Sequence, residues 1–288
     1  MSEVYKCRYK LETLSALALS PRAQSGFYRN IHFQANELGK RLYGNEIAEE
    51  EIPRIIYPFY QYGAYQKYNP EQAQYYIPGS SIKGAMATNQ IRGFLVDDIM
   101  IDSKYLELRT LCKVQHIPDT ELVNVNRKAM KIKEFFPNVA MEILKPGIIC
   151  SGNFVFPQNP TKILEKVKAQ TEEKLEQMAA WLERILMSKS ISEKDNGYET
   201  EKKCRDELHE MKNHLEDLLE ESKTMHRHGF LLLLGGYKGL VLSGVYKAGN
   251  KSSIYIDEDR KLPYGIVTLS LLLKNFFVNR KRHFPMVR

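Results

Sequence analysis

The chain turns sharply within residues 75–91, where the sequence is Tyr75-Tyr76-Ile77-Pro78-Gly79-Ser80-Ser81-Ile82-Lys83-Gly84-Ala85-Met86-Ala87-Thr88-Asn89-Gln90-Ile91. The apolar residues before Pro78 predict an extended segment, and the Pro-Gly pair predicts a tight turn. Serine is a favoured residue at a helix N-cap, and Ile82, Met86 and then Asn89 or Gln90 follow at helical spacing. The stretch therefore predicts a strand, a turn and a serine-capped helix.

The start of this helix also has the residue types of an anion site. The unpaired amides and the dipole at a helix N-terminus favour negative charge, and Ser80 and Ser81 add hydroxyl groups. Gly79 and Gly84 permit close approach to the backbone. Lys83 lies where the helix dipole disfavours a cation, a cost that a bound phosphate would offset. A capped helix with a solvated lysine fits the same residues, and the spacing is not that of a Walker A loop.

A second glycine-rich element follows an apolar strand in the last quarter of the chain. Its sequence is Gly229-Phe230-Leu231-Leu232-Leu233-Leu234-Gly235-Gly236-Tyr237-Lys238-Gly239-Leu240-Val241-Leu242-Ser243-Gly244. The glycines leave the backbone uncovered, while Lys238 offers charge and Tyr237 offers a ring for stacking. A phosphodiester backbone could lie against such a loop. A hairpin or bulge in a buried sheet is the alternative.

Alternating apolar and polar residues predict further strands. Residues 4–19 alternate at their start, and residues 139–156 indicate a strand pair turned at Pro146-Gly147. The other predicted strands are Tyr105–Val114, Glu121–Asn126 and Gly265–Leu273, and residues 34–54 are predicted to hold a short helix that ends near Gly44.

Residues 161–228 differ from the rest because their apolar residues recur every three or four positions. This is the pattern of amphipathic helices, and residues 188–197 separate its two runs. The sequence predicts an antiparallel helical hairpin inserted into a β-rich framework. Its apolar residues are Leu175, Met178, Leu182 and Ile185 in the first run, and Leu208, Met211, Leu215 and Leu218 in the second.

Eight of the 17 tyrosines lie between Tyr43 and Tyr76. They fit either a core rich in aromatic residues or a surface on which nucleic-acid bases stack.

The composition is that of a globular protein with a basic balance. The 288 residues are 43% hydrophobic and 27% charged, with a formal net charge of +7. This charge favours a polyanionic partner. Neither a membrane-spanning run nor an apolar signal core is evident, so an intracellular, cytoplasmic protein is expected. The four dispersed cysteines contain no Cys-x-x-Cys pair, which argues against a zinc ribbon.

Taken together, three motifs resemble those of the RAMP superfamily, the RNA-binding subunits of type III CRISPR effector complexes. The stretch Ile77–Ala85 resembles the family's hallmark motif, and Leu234–Leu240 resembles its C-terminal glycine-rich loop. Pro263-Tyr264-Gly265, followed by a strand, resembles its closing motif. Their order and spacing are most similar to the branch with the terminal Csm-type subunit of type III-A complexes, which caps the 3′ side of the guide.

The resemblance implies an α+β fold: an RRM-like, ferredoxin-like core that carries a glycine-rich loop and an inserted helical hairpin. Residues 1–160 and 229–288 would form the core, and residues 161–228 the insertion. The implied function is that of a structural subunit that binds the CRISPR guide RNA. Target RNA would be met through the guide, and other type III effector subunits would be neighbours. No cofactor, no metal, no catalytic residue and no membrane partner are expected.

The resemblance also assigns RNA-contacting residues. In the family, a Leu-His-Ile-Gly segment usually follows the first strand; here Ala18-Leu19-Ser20-Pro21 stands instead, and Arg22 is the hypothetical source of the missing charge. The family's frequent arginine after the hallmark motif is replaced by Ala87. The predicted RNA-binding residues are Ser80, Ser81, Lys83, Gly84, Gly235, Gly236, Tyr237, Lys238, Gly239 and Arg22.

Two other functions remain open at this point. The chain could be an endoribonuclease, either a metal-dependent subunit that cuts target RNA or a metal-independent enzyme that cuts repeat RNA. Asp97, Asp98 and Asp102 are the acids to consider for a metal, and His226 and His228 for general acid–base catalysis. Alternatively, the chain could be a protein-interaction module that works through the helical hairpin, 161–228.

Overall fold

The computed structural model describes residues 4–19, 26–36, 38, 52–63, 65–88, 91–118, 128–225, 229–243 and 254–278. The predicted helix within residues 34–54 lies largely outside these residues, and the predicted strand Glu121–Asn126 lies entirely outside them. The strands in the described part are β1 (Tyr5–Thr13), β2 (Phe27–Tyr28), β3 (Ile55–Tyr57), β4 (Tyr75–Ile77), β5 (Leu95–Val96), β6 (Ile99–Ile101), β7 (Leu106–Arg109), β8 (Cys112–Gln115), β9 (Lys131–Glu134), β10 (Val139–Leu144), β11 (Ile149–Phe156), β12 (Gly229–Leu233), β13 (Tyr255–Ile256) and β14 (Ile266–Val278). The helices are α1 (Gly79–Ala85), α2 (Thr161–Met187), α3 (Tyr198–Thr224) and α4 (Gly239–Leu242), with a 3₁₀ turn at Ser103–Tyr105.

The largest sheet has five strands in the order β12-β14-β1-β11-β5, and every neighbouring pair is antiparallel. Strands β1 and β5 are therefore parallel, with β11 between them and α1 in the segment that connects them. The four strands β14-β1-β11-β5 have the order and alternating directions of a ferredoxin-like sheet, and β12 is added at one edge. The predicted α+β fold with a ferredoxin-like core is confirmed.

Strand β1 shows the alternation that its sequence predicts, with Cys7, Tyr9 and Leu11 buried and Lys6 and Arg8 exposed. The predicted strand was too long, however, because β1 ends at Thr13 rather than at residue 19. After Thr13, the hydrogen bonds of the next residues involve side-chain groups and no longer form a regular ladder between two strands. The Ala16 amide donates to the Asp257 carboxylate (2.8 Å), and the Ser15 hydroxyl donates to the Pro263 carbonyl oxygen (2.7 Å).

The predicted strand pair at 139–156 is wrong in one respect. Both strands exist, and the chain turns at Gly147 with a φ of +77°, but β10 and β11 belong to different sheets. Strand β10 pairs with β3 and β7, whereas β11 pairs with β1 and β5. Thr13 holds the crossing between the sheets, because its hydroxyl donates to the Lys145 carbonyl oxygen (2.7 Å) and accepts from the Ile148 amide (2.9 Å).

Helices α2 and α3 have 27 residues each and pack against each other as the predicted hairpin. The predicted apolar stripe is buried along both helices, with Leu219 more buried than Leu218 on α3. The hairpin also covers one face of the large sheet, because its apolar residues form one cluster with Leu231, Leu233 and Ile266. The division of the chain into a core and an insertion at residues 161–228 stays a prediction.

Strand β12 is buried on both faces. Phe230 and Leu232 belong to the main core of the large sheet, while Leu231 and Leu233 pack beneath the helical hairpin. A strand that is covered on both sides has a continuous run of apolar residues rather than an alternating pattern. This arrangement explains the five consecutive buried residues of Gly229–Leu233.

The tyrosine-rich segment divides between the core and the surface. The buried carboxylate of Glu142 on β10 accepts hydrogen bonds from the Tyr68 hydroxyl (2.9 Å), the Tyr75 hydroxyl (2.6 Å) and the Phe59 amide (3.0 Å). Burial raises the pKa of this carboxyl above its usual value although these three donors favour its charged form. Glu142 thus holds Phe59, Tyr68 and Tyr75 against β10.

Among the described residues, none of the helices combines the length and the apolar character needed to cross a membrane.

Two glycines with similar backbone angles allow a matched test of the packing beside β12. Gly265 (φ +84°) and Gly63 (φ +83°) both lie in the left-handed region, but a Cβ atom at Gly265 would overlap the Leu234 carbonyl oxygen, whereas a Cβ at Gly63 would meet nothing within 4 Å. We expect Gly63→Ala to lower the free energy of unfolding by about 1–2 kcal/mol, the cost of a left-handed non-glycine residue. Gly265→Ala should cost about 3 kcal/mol or more, because it adds a clash with backbone. Urea unfolding followed by circular dichroism measures both values, and equal losses would contradict the close approach at Gly265.

Candidate nucleic-acid interface

A cleft of about 1110 Å³ opens between α1, α2 and the turn that follows β12. Its floor is the glycine-rich turn together with the segment after β1, and its two walls are the helices. The residues that line it are Ala18, Leu19, Tyr57, Tyr60, Ser81, Gly84, Ala85, Ala87, Val167, Gln170, Thr171, Lys174, Leu233, Gly235, Gly236, Tyr237, Lys238, Leu242 and Ser243. The two glycine-rich motifs, about 150 residues apart in the sequence, therefore meet in one cavity.

Helix α1 presents a wall of small residues to the cleft. Ser81, Gly84 and Ala85 line it, at the spacing of one helix face, while Ile82 and Met86 are buried on the opposite side. Lys83 is about 200° around the helix from Ser81 and lies over the Phe94 ring, 5.9 Å from its centroid. Ser80 is exposed and is not part of the lining.

The predicted serine N-cap is wrong. Helix α1 begins at Gly79, Pro78 occupies the N-cap position, and no side chain caps from there. The carboxylate of Asp98 lies at this end instead: it accepts the Gly79 amide (2.7 Å) and the Tyr62 hydroxyl (2.7 Å). The hydrogen bond to Asp98 raises the pKa of Tyr62 to about 12. The chain's own carboxylate thus sits at the helix end where the sequence pattern suggested a phosphate.

Helix α1 is also shorter than its sequence pattern predicts. Ala87 has a left-handed φ of +52°, and the amides of Ala87 and Thr88 donate to the carbonyl oxygens of Gly84 and Lys83, both at 3.1 Å. This is the usual way in which a helix C-terminus satisfies its last carbonyl groups. Asn89 and Gln90 lie outside the described residues. Ala87, the position of the family's arginine, faces the cleft.

The glycine-rich turn packs against the segment that follows β1. Gly235 has a φ of +81°, and a Cβ atom there would overlap the carbonyl oxygen of Ala18. The Gly236 amide donates to the same oxygen (3.0 Å). Tyr237 then adopts a left-handed φ of +55°, and Gly239 begins the short helix α4. The glycines therefore bring two backbone segments together at the floor of the cleft.

Two lysines give the cleft its charge. Lys238 on the turn and Lys174 on α2 both line it, and no aspartate or glutamate is among the described lining residues. The Lys238 ammonium donates to the Leu233 carbonyl oxygen (3.3 Å). Burial, together with the neighbouring charge of Lys174, lowers the pKa of Lys238 to about 8. An anion in the cleft would relieve this unfavourable environment.

Aromatic rings border the same cavity. Tyr57, Tyr60 and Tyr237 line it and are each partly buried. Tyr237 packs edge-on against Tyr255, and Tyr60 packs edge-on against Tyr76. The tyrosine-rich segment thus supplies both core residues and cleft residues, and base stacking on the cleft tyrosines stays a prediction.

The structure brings together six of the residues that the sequence predicts to bind RNA: Ser81, Gly84, Gly235, Gly236, Tyr237 and Lys238. Ser80, Lys83 and Gly239 belong to the same motifs but are not part of the lining, and Arg22 lies outside the described residues. The sequence interpretation missed Lys174. One signal was present, because Lys174 continues the inward spacing of Leu164, Val167 and Thr171 on α2.

The acidic residues considered for a metal have partners in their own chain. Asp97 and Asp98 lie between β5 and β6, and Asp97 accepts a hydrogen bond from the Asn153 side chain (3.1 Å). Asp102 caps the 3₁₀ turn and pairs with Lys104 (2.9 Å). Within the described ranges no group of three or more His, Cys, Asp or Glu residues is placed to hold a metal ion. His226 and His228 lie outside those ranges.

The chain is similar to solved structures, whereas no family model and no curated protein matches it. One of these structures is a chain in the cryo-EM structure of a Csm–crRNA–target RNA ternary complex of a type III-A CRISPR–Cas system. The match covers 94% of this chain and 100% of that chain at 12% sequence identity, with a TM-score of 0.44.

The depressed pKa of Lys238 predicts a specific pH dependence of stability. The folded protein releases this proton near pH 8, whereas the unfolded chain keeps it to about pH 10.5. The free energy of unfolding therefore rises with pH between these values, by at most about 1.4 kcal/mol per pH unit. Lys238→Met removes the effect, so the stability difference, wild type minus variant, should increase from pH 7.5 to pH 10.

Urea unfolding across this pH range measures that difference. The two proteins differ only at residue 238, so the comparison isolates the contribution of this lysine. A difference that stays constant with pH would contradict the burial of a charged Lys238.

Proposed function

We propose that the chain is a non-catalytic subunit of a type III CRISPR effector complex and binds guide RNA by its backbone in this cleft. The observation that carries the proposal is the meeting of the two motifs in one cavity. Ser81 and Gly84 come from the first motif, and Gly235, Gly236 and Lys238 come from the second. Both resemble RNA-contacting motifs of the RAMP superfamily.

The chemistry of the lining suits a sugar–phosphate backbone. Glycine, alanine and serine leave room for a strand to approach the protein main chain. The two lysines supply positive charge, and the described lining of the cleft contains no carboxylate. The tyrosines offer faces on which bases of any sequence can stack. Contacts to phosphate position a nucleic acid without reading its sequence, so we expect affinity for single-stranded RNA with little sequence preference and strong salt dependence.

The role in the complex follows from the resemblance and is part of the proposal. The motif order of the Csm-type branch supports a terminal position that caps the 3′ side of the guide. Target RNA would then be met through its pairing with the guide, and neighbouring type III subunits would be the protein partners. Such a complex would act in the cytoplasm.

The first test is co-purification of the tagged chain with its neighbouring gene products and a CRISPR array, followed by sequencing of the bound RNA. Wild type should carry RNA of discrete guide length. The double variant Lys83→Ala with Lys238→Ala should lower guide occupancy. The Lys238→Ala change should account for most of the loss, because Lys83 lies on the other side of α1.

The control is the double variant Lys162→Ala with Lys166→Ala, since both lysines are exposed on α2 outside the cleft. Unchanged RNA content in the Lys238 variant would contradict the site, and a complex without RNA would contradict the function.

The endoribonuclease alternatives predict a different result. The purified complex, incubated with labelled target RNA or repeat RNA with and without EDTA, should leave both RNAs intact if this chain only binds. Cutting that EDTA abolishes would favour a metal-dependent subunit, and cutting in EDTA would favour a metal-independent one. A variant with Asp97→Asn and Asp98→Asn, and another with His226→Ala and His228→Ala, would assign any activity to this chain or to a neighbour.

A further inference from the structure

Helix α2 places one lysine on a face that is otherwise uncharged and turned toward the protein. Leu164, Val167 and Thr171 are buried at helical spacing, and Lys174 is the next residue of that series. Lys174 lines the cleft beside Val167 and Thr171. The helical hairpin thus contributes a cation to the cavity that the two glycine-rich motifs form.

Lys174 also differs from other lysines of the hairpin in its partners. Lys168, Lys212 and Lys223 each form an ion pair with a glutamate of the hairpin. Lys174 has Gln170 four residues before it and Met178 four residues after it, so the helix offers no carboxylate at either i±4 position. Within the part of the chain that the structure describes, no salt bridge joins Lys174 or Lys238 to a carboxylate.

We propose that Lys174 and Lys238 together hold one phosphate of the bound RNA strand, which makes the helical hairpin part of the RNA-binding site. This inference rests on the proposed function and specifies its main electrostatic contact. The two lysines that line the cavity come from different elements, Lys174 from α2 and Lys238 from the glycine-rich turn.

The arrangement suits an anion with several acceptor oxygens. Two like charges that share a cavity repel each other in the free protein, and a phosphate between them offsets this repulsion with two charge-assisted hydrogen bonds. Ser81, Gln170 and Ser243 line the same cavity and carry side-chain groups that can donate to further oxygens. Because both lysines would hold the same phosphate, their contributions to binding should be coupled. Loss of either lysine lets the phosphate shift away from the other, so the double substitution should lose less than the product of the two single losses.

The experiment measures binding of a fluorescently labelled single-stranded RNA of mixed sequence to the purified full chain by fluorescence anisotropy at several salt concentrations. Lys174→Gln and Lys238→Gln should each weaken binding about tenfold at low salt. The double variant should weaken it by clearly less than a hundredfold, and its salt dependence should fall by about 0.7 in the slope of log K against log salt, as for one phosphate on a single strand. Lys174→Arg should retain most of the affinity. Lys166→Gln, an exposed lysine of the same helix, is the matched control and should bind as wild type does.

The outcomes separate this inference from the proposed function. If the wild-type chain binds no RNA, the proposed function fails. If wild type binds and Lys238→Gln weakens binding but Lys174→Gln does not, the cleft binds RNA and the shared phosphate site is wrong. Single losses that multiply in the double variant would place the two lysines on separate phosphates and would also overturn it. Circular dichroism spectra that match wild type would show that the variants are folded.

Discussion

The close approach of three backbone segments beside strand β12 is the constraint on which the cleft depends. The segment after β1 meets the turn after β12, where the Gly236 amide donates to the Ala18 carbonyl oxygen (3.0 Å). The third segment contains Gly265. Its amide donates to the Ala16 carbonyl oxygen (2.9 Å), and its carbonyl oxygen accepts a hydrogen bond from the Leu234 amide (2.8 Å). Side chains at Gly235 or Gly265 would overlap carbonyl oxygens of the neighbouring segments, so only glycine permits this arrangement at either position.

The surrounding structure supports this junction from both sides. Strand β12 packs its alternate residues against two separate apolar clusters, the core of the large sheet and the helical hairpin. The Asp257 carboxylate accepts hydrogen bonds from the Arg109 guanidinium (2.7 Å) and from the Ala16 amide (2.8 Å). These bonds connect the segment after β1 to the chain near β13. Because the hairpin covers Leu231 and Leu233, its removal would expose apolar surface of the sheet. Single substitutions at its surface are therefore the cleaner test of its function.

The charge of the cleft carries a cost in the free protein. Lys238 is partly buried beside Lys174, and its pKa of about 8 reflects both the burial and the second charge. A partly buried lysine in a cavity whose described lining contains no carboxylate is the pattern expected of a binding group. On the proposed function, the bound strand supplies the negative charge that the protein lacks there.

The elements that depend on local residue order could be predicted before the fold was known. The recurrence of apolar residues every three or four positions predicted α2 and α3, and the alternation of Tyr5–Thr13 predicted β1, because both patterns arise from the geometry of a single helix or strand. The glycine-rich motifs were likewise visible as runs of residues. The pairing of the strands is visible only in the folded chain, where β10 and β11 belong to different sheets although one short turn joins them. The fold also placed Asp98 rather than a serine at the start of α1, and it brought Lys174 to Lys238, because these contacts join residues far apart in the chain and no local periodicity encodes such pairings.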